Sequence, residues 1–365
     1  MTTKPTPTVR ALLKEAEEAI EAADTELDKL MLRVLLVTPW DTPCGIAEHS
    51  WYLKQAVEAA DPEIQIVPCP QYLDPRSMEE VRSPLMDGAD RIVHLNYQAS
   101  LHSRWTPKEI LRLRRWNWKV LVTFHDTGVP NSGLCKAICE AADAVVVHEP
   151  FDDLPAEKVR YWRMGVPGSG GPWQFGRVSS SDPSRDQFKA FSAQPVLGSI
   201  GFPFGWKNYD QLAKITGEIG WALLLLAPNA TTEQAIKWRT LNPNHYLRID
   251  FVPRHEALSL LSGCDATAFT YVCHNTGQSG AILQGIAARK PVIALHTCRQ
   301  MRALYLDPLG LETIRWCETF EEVAFALRTV SIERCDPGIV ALAKQDSWQH
   351  LGEKYAALYR ELADA

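Results

Sequence analysis

The strongest constraint on the fold is a repeated alternation of short apolar runs with helical segments, interrupted once. In the first series the predicted strands lie at residues 33–38, 64–69, 91–96, 120–125 and 144–148. In the second series they lie at 195–201, 221–227, 246–252, 266–272 and 291–296, with a weaker one at 314–318. Apolar strands alternating with helices are typical of parallel sheets covered on both faces. The sequence therefore predicts an α/β protein with two doubly wound parallel sheets.

The interruption, residues 168–192, is rich in Gly, Ser and Pro and marks a domain boundary. A chain of 365 residues is long enough for two domains. We predict an N-terminal tail and helix (1–31), a first domain (32–190), a second domain (191–335) and a C-terminal helix (336–365) that packs back on the first domain. The apolar stripe of the N-terminal helix favours packing on the domain, with homo-oligomer formation through this helix as the alternative.

Charge and composition exclude several classes of protein. The net charge of −6 gives no general attraction to nucleic acid or to an anionic membrane. No apolar run is as long as a transmembrane span, and residues 1–10 lack the apolar core of a signal peptide. The nine cysteines are scattered, and no set of cysteines and histidines has zinc spacing. We therefore expect a cytoplasmic protein with reduced thiols and no structural metal.

The segment TGQSGAILQGIAARKPVIA, residues 276–294, reads as a glycine loop, a helix and a buried strand. The first turn of a helix leaves backbone N–H groups unpaired, and the helix dipole adds partial positive charge there. Glycines let a phosphate approach such a backbone closely. A diphosphate at Gly277–Gly280 and a plain tight loop before a packing helix are both compatible with this pattern.

Polar residues and glycines cluster directly after the predicted strands. Gly45 and Glu48 follow the first strand, and Lys207 opens a helix of the second domain. A cation at a helix start is poorly placed for its own dipole, so a role in holding a diphosphate is plausible. Ligands of open α/β sheets bind at the carboxyl ends of the strands, which predicts a site between the domains.

The basic segment from Arg104 to Lys119 contains three tryptophans and resembles a nucleic-acid patch. A surface helix with packed tryptophans is the favoured interpretation, because the chain as a whole is acidic.

Five segments resemble the GT-B glycosyltransferases, specifically the retaining glycosyl group 1 (family 4-like) type, over residues 33–330. They are RVLLVTPWDTPCGIAEHSWYLKQAV, VLVTFHD, IGFPFGWKNYDQLAKI, FVPRHEALSLLSGCDATAF and TGQSGAILQGIAARKPVIA. The resemblance implies two Rossmann-like domains facing each other across a cleft, preceded here by the N-terminal helix. It implies a nucleotide-diphosphate sugar as co-substrate, with no cofactor and no metal.

The resemblance also implies roles for individual residues. The catalytic residues are His125, Asp126 and Lys207. Donor binding is assigned to Gly45, Lys207, Arg254, Thr276, Gly277, Gln278, Ser279, Gly280 and Gln284. From their position after predicted strands, we assign Glu48, Asn96 and Tyr97 to acceptor binding, with closing of a turn as the alternative for Asn96 and Tyr97. In such enzymes the leaving phosphate helps to deprotonate the acceptor hydroxyl, so catalysis is largely positioning and charge stabilisation.

The family often has two glutamates where this chain has Thr276 and Gln284. Three hypotheses therefore stand. The first is a hexosyl- or pentosyltransferase that moves a sugar from a nucleotide-diphosphate sugar to an acceptor hydroxyl with retention. The second is a DNA-modifying glycosyltransferase acting on a hydroxymethylated base. The third is a catalytically inactive nucleotide-sugar-binding or assembly protein.

Overall fold

The computed structural model contains two six-stranded sheets, both entirely parallel. The structure describes residues 31–40, 44–70, 92–98, 101–125, 132–149, 154–155, 157–167, 194–272, 278–331 and 336–365. Residues 1–30 of the predicted N-terminal tail and helix and the whole linker at 168–192 lie outside these residues. We call the sheet of residues 32–161 with its helices the first lobe, and the sheet of residues 196–317 with its helices the second lobe.

The first lobe has strand order β2-β1-β3-β4-β5-β6. Its strands are β1 (Leu32–Thr38), β2 (Ile64–Pro70), β3 (Ile92–Tyr97), β4 (Lys119–Phe124), β5 (Ala144–Val147) and β6 (Val159–Tyr161). Its helices are α1 (Gly45–Ala60), α2 (Pro107–Arg115) and α3 (Ser132–Ala141).

The second lobe has strand order β12-β11-β10-β7-β8-β9. Its strands are β7 (Val196–Ile200), β8 (Ala222–Leu226), β9 (His245–Arg248), β10 (Ala266–Phe269), β11 (Val292–Leu295) and β12 (Arg315–Cys317). Its helices are α4 (Tyr209–Ile219), α5 (Thr232–Leu241), α6 (Arg254–Ser262), α7 (Gly280–Ala287), α8 (Arg302–Tyr305), α9 (Pro308–Thr313), α10 (Phe320–Thr329) and α11 (Pro337–Gln345). Two short 3₁₀ turns lie at Gly205–Lys207 and Arg299–Met301.

Both sheets reverse their strand order beside the first strand of the lobe. In the first lobe the reversal lies between β1 and β3, and in the second between β7 and β10. At such a switch point the loops after two neighbouring strands diverge to opposite faces of the sheet and leave a crevice. The topology thus places one ligand-binding crevice at the carboxyl edge of each lobe.

Burial explains why the strands are apolar throughout. Both faces of each sheet carry a separate hydrophobic cluster, and the described residues of β3, β5, β7, β8, β10 and β11 are all buried. Two carboxylates brace the starts of central strands. Asp143 accepts the backbone N–H of Val120 at 2.8 Å, and Asp265 accepts that of Val196 at 2.8 Å. These bonds satisfy backbone N–H groups at the starts of the two strands.

The last helix, α12 (Trp348–Asp364), leaves the second lobe and packs on the sheet of the first. Its Tyr355 and Tyr359 hydroxyls lie 2.8 Å from Thr123 Oγ1 and 2.6 Å from His94 Nδ1. Gly352 lies so close to α1 that an added Cβ would come within 2.5 Å of the Ala56 carbonyl oxygen. The two lobes are therefore tied together by a buried helix as well as by the connecting chain.

Several predicted boundaries were wrong. The strand expected at 246–252 ends at Arg248, β6 was missed, and the helix expected at 338–365 is two helices. The two helices meet at Asp346 and Ser347, and Ser347 caps the start of α12 by accepting the backbone N–H of His350. In the basic segment, Trp105 and Trp118 are buried, which confirms the packing interpretation. Among the described residues, no helix has the length and apolar content required to cross a bilayer.

Candidate ligand-binding cleft

A cavity of about 700 Å³ lies between the lobes, against the carboxyl edges of both sheets. This volume falls in the range of ordinary small-molecule sites, roughly 300–1,000 Å³. A second cavity of about 510 Å³ lies near the junction of α11 and α12. Its main charged side chains, Arg163, Asp307 and Asp346, already pair with one another, so we take the larger cavity as the candidate site.

The second-lobe wall includes the start of α7. Ser279, Gly280 and Ala281 line the cavity, and Ser279 makes no side-chain capping bond to this helix. The N–H groups of an uncapped first turn carry partial positive charge and are available to a ligand. A Cβ added at Gly280 would meet nothing within 4 Å, so packing does not require glycine there. The wall has the features of an anion-binding helix terminus.

Lys207 lies on the same wall, at the switch point between β7 and β10. Its side chain is buried, with Nζ 4.9 Å from the ring centre of Tyr271 and 5.4 Å from that of Trp206. Thr270 Oγ1 donates to the Lys207 carbonyl at 3.1 Å. Asn208, in the left-handed region at φ 56°, donates to the Thr270 carbonyl at 3.1 Å. These bonds fix the backbone that presents the ammonium group.

Gly201 makes room for this ammonium group. Its φ of +133° is a conformation that residues with a Cβ rarely adopt. A Cβ added there would lie 2.1 Å from Lys207 Nζ. The backbone conformation therefore favours glycine at this position, and an added Cβ would displace the ammonium group.

The first-lobe wall is built from the start of α1 and the end of β4. Gly45 begins α1, and a Cβ added to it would also meet nothing within 4 Å. His125 directly follows β4, and its backbone N–H donates to the Tyr97 carbonyl at 3.1 Å. Burial, reinforced by nearby His148, holds the pKa of His125 well below its usual value. His125 is thus neutral near pH 7 and can exchange hydrogen bonds with hydroxyl groups.

An ion pair crosses the cavity between the lobes. Arg254, the first residue of α6, pairs with Glu48 of α1, and its guanidinium lies 4.6 Å from the ring centre of Tyr52. All three residues line the cavity. The Glu48 carboxylate is therefore already engaged by a cation, which argues against its predicted use as a free acceptor-binding group.

Gln278 holds the chain segment that follows β6. Its Oε1 accepts the backbone N–H of Met164 at 2.7 Å, and its side chain is buried. Gln284, one turn into α7, also lines the cavity. Gln278 therefore has a structural role that the sequence did not indicate, whereas Gln284 faces the site as expected.

The predicted site residues are mostly brought together. The predicted residues that line the cavity are Gly45, Glu48, His125, Lys207, Arg254, Gln278, Ser279, Gly280 and Gln284. Asn96 and Tyr97 were misplaced. β3 continues through both residues, Asn96 Nδ2 donates to Ser50 Oγ at 2.5 Å, and Tyr97 packs against Phe124 in the core. Asp126, Thr276 and Gly277 lie outside the described residues.

Sequence reasoning missed other residues of the cavity wall. These include His49, Tyr52, Gln98, Phe204, Trp206, Phe251 and Trp348. For Gln98 a signal existed, since it follows directly after β3. For Trp348 there was none, because it reaches the cavity only through the return of α12 to the first lobe.

Solved structures share this architecture over almost their whole length. A glycosyltransferase from Rickettsia africae has a TM-score of 0.65 at 14% identity, covering 91% of this chain and 98% of that one. HepE of Anabaena, solved in complex with UDP and glucose, has a TM-score of 0.62 at 12% identity, with 90% and 99% covered. An Escherichia coli trehalose-6-phosphate protein bound to UDP-2-fluoro glucose has a TM-score of 0.62 at 12% identity, with 91% and 99% covered.

No protein-family model matches the sequence, and no curated protein is significantly similar to it in sequence. The likeness is therefore one of fold. The chain has the GT-B fold, two Rossmann-like domains facing each other across a cleft. The predicted fold class is confirmed.

Proposed function

We propose that this protein is a glycosyltransferase that moves a sugar from a nucleotide-diphosphate sugar to an acceptor hydroxyl, with retention. The observation that carries the proposal is the composition of the second-lobe wall. An uncapped helix terminus and a buried lysine face one cavity, and together they suit a diphosphate.

The donor diphosphate would lie against the first-turn amides of α7, with Lys207 Nζ as the cationic partner. Charge develops on the leaving diphosphate in the transition state, and donors that are already in place stabilise it without reorganisation. Gly45 and Gly280 leave open space where the donor must approach the backbone. Neutral His125 on the opposite wall would exchange hydrogen bonds with the transferred sugar.

Retention is supported by the scarcity of free carboxylates in the described lining of the cavity. Among the described residues that line it, Glu48 is the only carboxylate, and Arg254 already pairs with it. Among these described lining residues, neutral His125 is a remaining candidate base for an inverting attack, and it is assigned here to the transferred sugar. Deprotonation of the acceptor by the leaving phosphate needs no protein base. One structural neighbour was solved to study glycosyl transfer with retention in trehalose-6-phosphate synthase.

Gly280 allows the phosphate site to be tested without disturbing the fold. In Gly280→Ala the added methyl group meets no protein atom, so the fold is expected to keep its melting temperature. The methyl group would stand where the phosphate approaches. We expect nucleoside diphosphate affinity to fall at least about tenfold, as on loss of one charged hydrogen bond.

Gly133→Ala is the matched control, because an added Cβ there also meets nothing within 4 Å and Gly133 is outside the cavity lining. Affinity is measured by calorimetry against UDP, GDP, ADP and dTDP, and transfer by the anomeric configuration of the product. Equal affinity in both variants would contradict the assigned phosphate site. Nucleotide binding without turnover would favour the inactive nucleotide-sugar-binding alternative.

A further inference from the structure

Three histidines from separate elements converge beneath the first-lobe wall. His49 lies on α1, while His125 and His148 follow the adjacent strands β4 and β5. One ring nitrogen of each lies within 4.8 Å of those of the other two. The ring centres are 4.6 Å apart for His49 and His125, and 5.2 Å apart for the other two pairs.

The hydrogen bonding of His148 defines its tautomer. Its Nδ1 lies 2.8 Å from the carbonyl oxygen of Trp162, which can only accept, so Nδ1 carries the proton. Nε2 is then unprotonated and carries a lone pair that can bind a ligand. It is buried and has no hydrogen-bond partner among the described residues. A backbone carbonyl holding the far nitrogen is the usual arrangement around a metal-binding histidine.

The other two rings also have unsatisfied nitrogens. Within the described part of the chain, His125 Nε2 and both ring nitrogens of His49 are buried without a hydrogen bond. His49 and His148 are only 2% and 1% exposed. Buried polar atoms are nearly always paired, so these converging nitrogens are candidates to coordinate a common ligand.

His94 shows what a purely structural buried histidine looks like in this lobe. Its Nδ1 lies 2.6 Å from Tyr359 Oη and its Nε2 lies 2.7 Å from Thr123 Oγ1. Both of its nitrogens have partners, whereas each histidine of the cluster has at least one buried nitrogen without a hydrogen bond among the described residues. What sets the cluster apart is that three such histidines converge.

We propose that His49, His125 and His148 form a binding site for a divalent transition metal ion of the Zn²⁺ class. Imidazole nitrogen suits Zn²⁺, Co²⁺, Ni²⁺ and Cu²⁺, whereas Mg²⁺ and Ca²⁺ require oxygen ligands. Zn–N bonds of 2.0–2.1 Å in a tetrahedral site put ligand nitrogens about 3.3 Å apart, so the rings must close in by rotation. The site shares His125 with the proposed sugar contact, but all three ligands belong to the first lobe, so metal binding can be tested without a nucleotide sugar.

A three-histidine set leaves one position of a tetrahedral ion for water or for another oxygen ligand. His49 and His125 line the cavity, so that position is open to molecules bound there. No sequence motif indicated the site, since its ligands lie far apart along the chain and lack the short spacing of common zinc motifs.

The test uses the full chain without an affinity tag, stripped with a chelator and titrated with Co²⁺. We expect one Co²⁺ per chain with the visible absorption of a low-coordinate nitrogen site, and its displacement by Zn²⁺. Zn²⁺ at a hundredfold excess over its Kd should raise the melting temperature by about 3–4 °C, and Mg²⁺ should not.

His148→Gln should lose the Co²⁺ spectrum. His350→Gln is the control for binding to surface histidines, since His350 is exposed and pairs with Glu353, and it should keep the spectrum. A wild-type chain without stoichiometric Co²⁺ absorption would overturn the proposal, whether or not the variants fold. An unchanged spectrum in a folded His148→Gln protein would overturn it as well.

Discussion

Replacing Lys207 with methionine separates a role in ligand binding from a role in the fold. The substitution keeps most of the side-chain length and removes the ammonium group. In the free protein this group contacts two aromatic rings, each contact contributing about 0.5–2 kcal/mol. The same burial costs the charge its hydration, and the two effects oppose each other. We therefore expect the melting temperature of the free protein to change by no more than a few degrees.

The bound state should respond very differently. A charged hydrogen bond from Nζ to a phosphate oxygen contributes about 1.5–3 kcal/mol, so Lys207→Met should weaken nucleoside diphosphate binding roughly 10- to 150-fold. Gly201→Ala acts on the same group, because its Cβ would lie 2.1 Å from Nζ, and should weaken binding in the same direction. Calorimetry with the nucleotide that binds wild type most tightly gives both Kd values.

Lys237→Met is the matched control, since Lys237 belongs to the same lobe but is exposed and pairs with Asp210. It should leave the Kd unchanged. A Lys207→Met protein that melts normally and binds the nucleotide with wild-type affinity would refute the placement of the diphosphate. A protein that unfolds would instead show that the ammonium group holds the second lobe together.

Further predictions concern the lobe contacts. Glu48→Gln should tighten nucleoside diphosphate binding about 3- to 10-fold, because it releases Arg254 from an ion pair that contributes on the order of 1 kcal/mol. Weaker binding by calorimetry would contradict this. Burial raises the pKa of Asp346 to about 6, above its unfolded value, so stability that is present below pH 4 is lost as the pH rises through 6. The free energy of unfolding in urea should fall by about 2–3 kcal/mol more for wild type than for Asp346→Asn between pH 4 and 7. A difference between the two proteins that does not change with pH would contradict this. Gly352→Ala should lower stability by about 1–3 kcal/mol by forcing α12 from the Ala56 carbonyl, whereas an unchanged melting temperature would show that the helices adjust.

The sequence predicted the architecture because the alternation of apolar strands and helices is set by local physics. Parallel strands place their carboxyl ends at one edge, so Gly45, His125 and Lys207 were found without knowledge of the packing. The prediction that Asn96 and Tyr97 bind the acceptor was wrong for a specific reason. β3 pairs with β4 through Tyr97, so the strand ends one residue later than expected and only Gln98 reaches the cavity.

Contacts between distant segments were not predictable from the sequence. The Glu48–Arg254 pair joins helices of different lobes, and it exists only because the lobes close on each other. The convergence of His49 with His125 and His148 depends on how α1 packs on the carboxyl edge of β4 and β5. Pattern reasoning gives the edge on which a residue lies, but it does not give the partner that a side chain meets.

A crystal structure of the protein with its preferred nucleoside diphosphate tests the assigned phosphate site at atomic detail. We expect the diphosphate to lie against the backbone amides of Ser279–Ala281, with Lys207 Nζ within hydrogen-bonding distance of a phosphate oxygen. A diphosphate bound elsewhere, or a cleft that stays empty at saturating nucleotide, would contradict it.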